Sequence, residues 1–220
     1  MRREMIEEYV KKLSVSLGGV RPPVPEETLR DLHEAHDILG MVDYVRGTLN
    51  LPVRINIEVL NDSDMDLQDK SFGRRGVARI AFPEAMPPYG TGAFRKVKCE
   101  MWIRKSLAYQ APLPSLVKTI AHELSHIVLY AVQHELRDEE EAVDVTAMVL
   151  GYRNICKAGC VYNETVFEER KPSFLRRALD RFFCRTTVIR EEILVTHSNG
   201  YLTVEEVYYA ADLMERIAKK

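Results

Sequence analysis

The feature that most constrains this chain is a His-Glu-x-x-His motif inside a long segment of apolar periodicity. The motif consists of His122, Glu123 and His126. The apolar positions recur around it at helical spacing: Leu116, Ile120, Leu124, Ile127 and Ala131. Because residues four apart lie on one face of a helix, the segment predicts a helix that packs on a core and carries both histidines on its other face.

This spacing is typical of a zinc site. Two imidazoles one helical turn apart can bind the same ion, and Glu123 then lies beside the ion without having to ligate it. Zinc lowers the pKa of a bound water to about 7, and a neighbouring carboxylate can take the water's proton and pass it to a leaving amine. We therefore assign His122 and His126 as ligands of Zn2+ and Glu123 as the catalytic general base.

A catalytic zinc needs a third protein ligand. The next predicted helix is acidic at its start, and Glu140 and Asp144 share one of its faces. If Glu140 faces the first helix as the ligand, Asp144 lies one turn deeper and can accept a hydrogen bond from the far nitrogen of His122. Glu141 is the main alternative ligand. His134 is a weaker one, because the Gly-containing bend that would return it to the metal is missing.

The motif from His122 to His126, followed after a short turn by Glu140-Glu-Ala-Val-Asp144, resembles the gluzincin metallopeptidases. Within them it is most similar to the HtpX and CAAX-prenyl-protease group and to the small soluble minigluzincins, in which HExxH is followed by a helix carrying E-x-x-x-D. The resemblance covers roughly residues 98–152. It implies that the two histidines and Glu140 bind zinc and that Glu123 acts as general base and acid.

The resemblance also implies that a strand before the motif holds a peptide substrate in extended form. The strand predicted over 98–105 is the candidate, with its exposed edge around 99–103, and an inner strand is the alternative. Stabilisation of an oxyanion needs a further donor. Tyr152, His197 and Tyr201 are candidates by residue type, and nothing in their spacing selects one of them.

The composition excludes several classes of partner and location. A formal net charge of -2 gives no general reason to expect nucleic acid or a membrane surface as a partner. No apolar run approaches the length that spans a bilayer, and the charged start MRREMIEEYVKKL lacks the apolar region of a secretory signal. We therefore expect a cytoplasmic protein with reduced thiols. Cys156 and Cys160 have no second pair that would complete a separate zinc site.

The periodicities predict an α+β, zincin-like fold in which a small sheet packs against the motif helix. Helices are predicted over 1–17, 26–49 and 139–152, the last ending near Gly151, and a basic helix over 172–184. Strands are predicted at 53–60, 76–82, 98–105 and 186–195, with 157–169 irregular. Thr203 and Glu206 form a capping box that opens a C-terminal helix to about Ala218. We group these elements as an N-terminal helical segment (1–50), a catalytic core (51–152) and a C-terminal extension (153–220) of one compact unit.

Together these features predict zinc-dependent hydrolysis of peptide bonds in a peptide or protein substrate. The alternative is a zinc-binding regulatory or interaction protein whose site is latent or inactive. The intact Glu123 argues against it, because a purely structural zinc site needs no base. A third hypothesis is a peptidase that inhibits itself, with the loop over 83–97 or the basic helix over 172–184 covering the cleft.

Overall fold

The computed structural model describes residues 2–65, 77–170, 189–198 and 200–219, and for 162–170 and 189–198 it describes the backbone. The chain divides into two compact units, one formed by Met1–Val161 with Ser198–Lys220 and the other by Tyr162–His197. Helices and a small three-stranded sheet make up the first unit, which confirms the predicted α+β class. The zincin-like arrangement and the predicted boundaries at 50 and 152 stay predictions.

Three helices open the chain: α1 (Arg3–Ser16), α2 (Glu27–Glu34) and α3 (Ile38–Thr48). The continuous helix predicted over 26–49 is therefore wrong in one respect, since it breaks between α2 and α3. His36 adopts a positive φ of 54°, which interrupts the helical path. Asp37 then caps α3, because its side chain accepts a hydrogen bond from the Gly40 N–H at 2.9 Å.

The sheet of the first unit consists of β1 (Arg54–Leu60), β2 (Ala78–Ala81) and β3 (Lys98–Arg104), in the order β1-β3-β2. β3 is parallel to β1 and antiparallel to β2. The expectation that residues 99–103 form an exposed edge is thus wrong, because β3 is paired on both sides. Strand alternation buries Cys99, Met101 and Ile103 of β3 completely, as the periodicity predicts. Among the described strands, β2 is the edge nearest to the motif helix.

The next helices carry the motif and the acidic run. After α4 (Lys105–Gln110), α5 (Leu113–Ala131) contains the His-Glu-x-x-His motif and packs all five of its predicted apolar positions into the core. A short turn leads to α6 (Glu140–Ala147). The helical path continues through a π-helical turn (Met148–Tyr152) into α7 (Arg153–Gly159).

The predicted helix end near Gly151 is therefore wrong: Gly151 makes a kink with a φ of 109°, and the chain stays helical beyond it. A Cβ at this position would lie 2.6 Å from the carbonyl oxygen of Pro22, so the segment between α1 and α2 lies directly against the kink. The Arg21 N–H donates to the Val149 carbonyl, and the Val24 N–H donates to the Gly151 carbonyl. These bonds satisfy carbonyl groups at the kink, where the regular helical hydrogen bonding is interrupted.

The C-terminal part begins with the second unit, whose two-stranded sheet pairs β4 (Val161–Arg170) with β5 (Ile189–Ser198). The irregular structure predicted over 157–169 is wrong, since α7 extends to Gly159 and β4 follows. The predicted basic helix over 172–184 lies outside the described residues. α8 (Val204–Ala218) returns to the first unit, and the predicted capping box between Thr203 and Glu206 is confirmed. Of the helices that the structure describes, none is both long and apolar enough to cross a membrane.

Candidate metal centre

Three potential ligand side chains converge where α5 meets the first turn of α6. His122 and His126 project from α5, and Glu140 is the first residue of α6. Glu140 Oε2 lies 3.3 Å from His122 Nε2 and 3.4 Å from His126 Nε2. One ligand atom from each residue lies within 4.8 Å of the other two, so this group could hold a metal ion.

The turn between the two helices places Glu140. α5 ends at Ala131, and Gln133 takes a positive φ of 52° that reverses the chain. The His134 N–H donates to the Leu129 carbonyl, and the Glu139 N–H donates to the Leu136 carbonyl. The new helix consequently starts with its first acidic residue directed at the histidines of α5.

Asp144 lies one turn farther along α6 and is almost completely buried. Its Oδ1 accepts a hydrogen bond from His122 Nδ1 at 2.9 Å, the bond predicted from the sequence. An ionised carboxylate can only accept, so Nδ1 carries a ring proton, and Nε2 is the nitrogen that faces Glu140 and His126. Asp144 Oδ2 accepts from the backbone N–H groups of Tyr201 at 2.8 Å and Leu202 at 3.2 Å.

Lys118 is a residue of this site that the sequence reasoning missed. It lies on α5 one turn before His122, and its side chain is 2 % exposed. Its Nζ is 3.9 Å from Asp144 Oδ1, which makes the two side chains a buried ion pair. The available signal was the spacing of Lys118, His122 and His126 at four-residue intervals, which places all three on one face of an otherwise apolar helix.

Glu123 is half-buried, and it is not one of the three residues that could hold a metal ion, His122, His126 and Glu140. The backbone N–H of Ile80, on β2, donates a hydrogen bond to its carboxylate. Burial raises the pKa of Glu123, while the positive charges of His122 and His126 oppose this rise. A carboxylate with a raised pKa exchanges protons more readily near neutral pH than an ordinary glutamate does.

The charges of the ligand group are strongly coupled. Burial lowers the pKa of His122, but the hydrogen bonds with Asp144 and Glu140 outweigh burial and raise it to about 10. Hydrogen bonds from His122 and then from His126 hold the pKa of Glu140 far below its ordinary value. Burial raises the pKa of Asp144, yet the hydrogen bond from His122 and the charges of His122 and Lys118 bring it down to about 2. Without a metal, His122 is therefore held as a cation between two carboxylates.

The three residues considered as oxyanion donors are placed differently. The Tyr201 ring stacks on the His122 ring with centroids 5.4 Å apart and planes 19° apart, and it lines the cleft beside Glu123. Tyr152 is buried in the interior, where its hydroxyl is hydrogen-bonded to the Thr48 side chain. The side chain of His197 lies outside the described residues.

The alternative ligands are engaged elsewhere. Glu141 Oε1 accepts from Arg2 Nη1 at 2.7 Å. His134 Nε2 lies 3.2 Å from Ser16 Oγ, and its Nδ1 accepts from the Leu136 N–H. Cys156 and Cys160 are buried free thiols outside the group that could hold a metal.

A cleft of about 350 Å³ opens over the group. Arg79, Ile80 and neighbouring residues of β2 line this cleft, and so do Tyr130 and Arg137. His122, Glu123, His126 and Glu140 all line this cleft. The candidate ligands are thus reachable by a molecule that lies along β2.

Comparison of the chain with protein-family models, with curated proteins and with solved structures finds no match.

Proposed function

We propose that this protein is a zinc-dependent metallopeptidase that hydrolyses peptide bonds in a peptide or protein substrate. The observation that carries the proposal is the convergence of His122, His126 and Glu140, with the carboxylate of Glu123 beside them in the same cleft. A surface helix with an accidental motif has no reason to meet a carboxylate from the next helix within hydrogen-bonding distance of both histidines.

The donor set fits zinc. Two imidazole nitrogens and one carboxylate oxygen are a ligand set of catalytic zinc sites, which keep a fourth position for water or substrate. When bound, zinc supplies a Lewis acid and a water of lowered pKa. The hydrogen bond from His122 Nδ1 to Asp144 supports this assignment, because it directs the Nε2 lone pair to the ligand group.

Glu123 is the general base of the proposal. Its half-buried carboxylate is held by the Ile80 N–H and borders the ligand group. The carboxylate takes the proton of the attacking water and then passes it to the amine that leaves when the peptide bond breaks. Its raised pKa suits both transfers, because a group of very low pKa would be a weak base.

β2 replaces the 99–103 segment as the proposed substrate-binding strand. In an antiparallel pair, the N–H and C=O of one residue point to the same side of the strand. The Ile80 N–H reaches Glu123, so both of its backbone groups are directed away from β3 and toward the cleft. An extended peptide that lies along this side can hydrogen-bond to β2 while its scissile carbonyl is over the ligand group.

Tyr201 is the proposed donor to the oxyanion. Its ring is fixed on His122, and its hydroxyl belongs to a side chain that lines the cleft. A phenolic O–H at this place can donate to the oxygen that gains negative charge when water attacks the carbonyl. The buried contact of Tyr152 with Thr48 leaves Tyr152 out of this role.

The test compares the wild-type protein with Glu123→Gln, both loaded with one equivalent of zinc. A peptide library is incubated with each protein, and products are identified by mass spectrometry. We expect both proteins to retain zinc and the wild type alone to cleave, with a loss of about 10²- to 10⁴-fold in the variant.

Glu135→Gln is the matched control, because this glutamate pairs with Lys12 away from the cleft. It should cleave like the wild type. If the wild type and Glu123→Gln both bind zinc and cleave equally, or if neither of them cleaves, the result would instead favour the regulatory or interaction protein. A chain without residues 172–184 is tested in parallel, because gain of cleavage on its removal would indicate self-inhibition.

A further inference from the structure

Lys118 is a buried charged residue that is neither a metal ligand nor the general base of the proposed function. An ammonium group is costly to bury unless a charge of opposite sign and hydrogen-bond acceptors compensate it. Lys118 is nevertheless 2 % exposed, in a helix whose other inward positions are mostly apolar. Its charged partner is Asp144, at 3.9 Å.

Asp144 connects Lys118 with two separate parts of the site. One carboxylate oxygen faces His122 and Lys118. The other accepts the N–H groups of Tyr201 and Leu202 from a distant part of the chain. A carboxylate offers about four acceptor positions, so these contacts fix its orientation in two directions. The ring of His122 and the segment 200–202 are therefore held by one side chain.

Gly200 shows how tightly this segment closes over the lysine. Its φ is +107°, and a Cβ built on it would lie 2.0 Å from Lys118 Nζ and 2.8 Å from Asp144 Oδ2. The backbone thus passes directly over the ammonium group, which any larger residue would displace. Tyr201, the next residue, is then set with its ring on His122.

We propose that Lys118 is a positioning residue of the metal centre, which holds the Asp144 carboxylate and the segment 200–202 against His122. It thereby fixes the orientation of one metal ligand and the place of Tyr201 in the cleft. The inference rests on the proposed metal-binding function, since it concerns how the same site is held. It adds a residue that touches neither the ion nor the substrate and acts through Asp144.

The test measures Zn2+ affinity of the full-length, metal-free protein by competition with a chromogenic chelator, so no peptide cleavage is needed. Lys118→Met keeps the length and apolar stem of the side chain and removes its charge. We expect it to weaken zinc binding about tenfold, the lower end of the effect seen when a residue behind a metal ligand is changed. Lys12→Met is the matched control, because Lys12 pairs with Glu8 and Glu135, and its affinity should equal that of the wild type.

A double-mutant cycle with Asp144→Asn separates positioning from a general loss of structure. Because Lys118 acts through Asp144, adding Lys118→Met to Asp144→Asn should weaken zinc binding no further. Wild-type affinity in Lys118→Met, or losses that add in the double variant, would overturn the inference while leaving the metal site intact. A wild-type chain that binds no zinc would overturn the proposed function and the inference together.

A second variant covers the case in which Lys118→Met does not fold, which circular dichroism would reveal. Gly200→Ala leaves every charge in place and pushes the ammonium group and the segment 200–202 apart. It should also weaken zinc binding, whereas Gly92→Ala, with open space around its Cα, should not. Equal zinc affinity in Gly200→Ala and Gly92→Ala would overturn the inference.

Discussion

Two adjacent glutamates at the start of α6 belong to two different charge clusters. Glu140 lies between His122 and His126, at 3.3 and 3.4 Å. Glu141 turns to the other side and pairs with Arg2 at 2.7 Å. Arg2 also donates to both carboxylate oxygens of Glu206, at the start of α8. We call Arg2, Glu141 and Glu206 the Arg2 clamp.

A candidate ligand group differs from a structural ion pair in the atoms that it leaves available to a metal. The clamp is complete in itself, because a guanidinium with several donors meets two carboxylates that can only accept. The group around Glu140 instead assembles three atoms that can each ligate a metal, and it holds His122 as a cation when no metal is present. The same helical turn therefore supplies one residue that joins helices and one that is available for an ion.

The largest expected effect distinguishes these two glutamates directly. Glu140→Gln should abolish stoichiometric zinc binding, because it removes the carboxylate of the ligand group. Glu141→Gln should retain zinc and lose at most about 1 kcal/mol in the free energy of unfolding, the usual value of a partly exposed ion pair. Metal content after dialysis, measured by atomic emission, checks both. Loss of zinc in Glu141→Gln with retention in Glu140→Gln would reverse the assignment.

The next effect concerns the residue behind His122. Asp144→Asn should weaken zinc binding by about 10- to 100-fold, because an amide cannot hold the His122 proton and the Lys118 charge as a carboxylate does. Competition with a chelator gives the affinity. Asp43→Asn is the control, since Asp43 is exposed and pairs with Arg46. Equal affinities in the two variants would show that Asp144 does not orient the ligand.

The pH dependence should differ between the metal-free and the zinc-loaded protein. The pKa of His122 rises from 6.5 to about 10 in the folded metal-free protein. Its contribution to stability is therefore fully present below pH 6.5 and is lost as the pH rises through about 10. Zinc must displace this proton, so zinc affinity should increase about tenfold per pH unit up to that value.

Thermal unfolding from pH 6 to 10, with and without zinc, checks this prediction. The stabilisation by zinc should grow with pH, and a constant stabilisation would contradict it. At the acid end, the stability contributed by Asp144 is present above its ordinary pKa of 3.8 and is lost as the pH falls through about 2.

The smallest expected effect concerns Thr203, which is hydrogen-bonded to Glu206 of the Arg2 clamp. Thr203 caps α8 by accepting from the Glu206 N–H, and the Glu206 carboxylate accepts from the Thr203 N–H. Thr203→Ala should lower the free energy of unfolding by about 1 kcal/mol, as the loss of an N-cap does. Zinc affinity should stay unchanged, measured on the same preparation. A fall in zinc affinity would show that the clamp and the metal centre are coupled.

The features of the molecule that follow from local spacing were predictable, and those that depend on contacts between distant parts of the chain were not. The motif on α5 and the capping box at Thr203 depend on residues within one or two helical turns, which the sequence displays directly. The central place of β3 depends on pairing with two other strands, for which alternation carries no information. The segment at Tyr201 reaches Asp144 across 57 residues, so no spacing rule could select it.

Lys118 escaped prediction for a different reason. A lysine within an apolar helix is expected at the surface, since lysines are almost never fully buried unless they are paired. Its partner Asp144 lies on another helix, and the glycine above it belongs to the segment after β5. The burial of this charge depends on how α5, α6 and the segment after β5 pack together, which the local sequence does not display.

X-ray absorption of the zinc-loaded protein tests the central claim most directly, because it reports the atoms bound to the ion. We predict two imidazole nitrogens at about 2.0–2.1 Å and oxygen ligands at about 2.0–2.2 Å. Glu140→Gln should lose this spectrum and Glu141→Gln should keep it. Sulfur at about 2.3 Å, or a zinc environment without imidazole, would place the ion elsewhere and contradict the account.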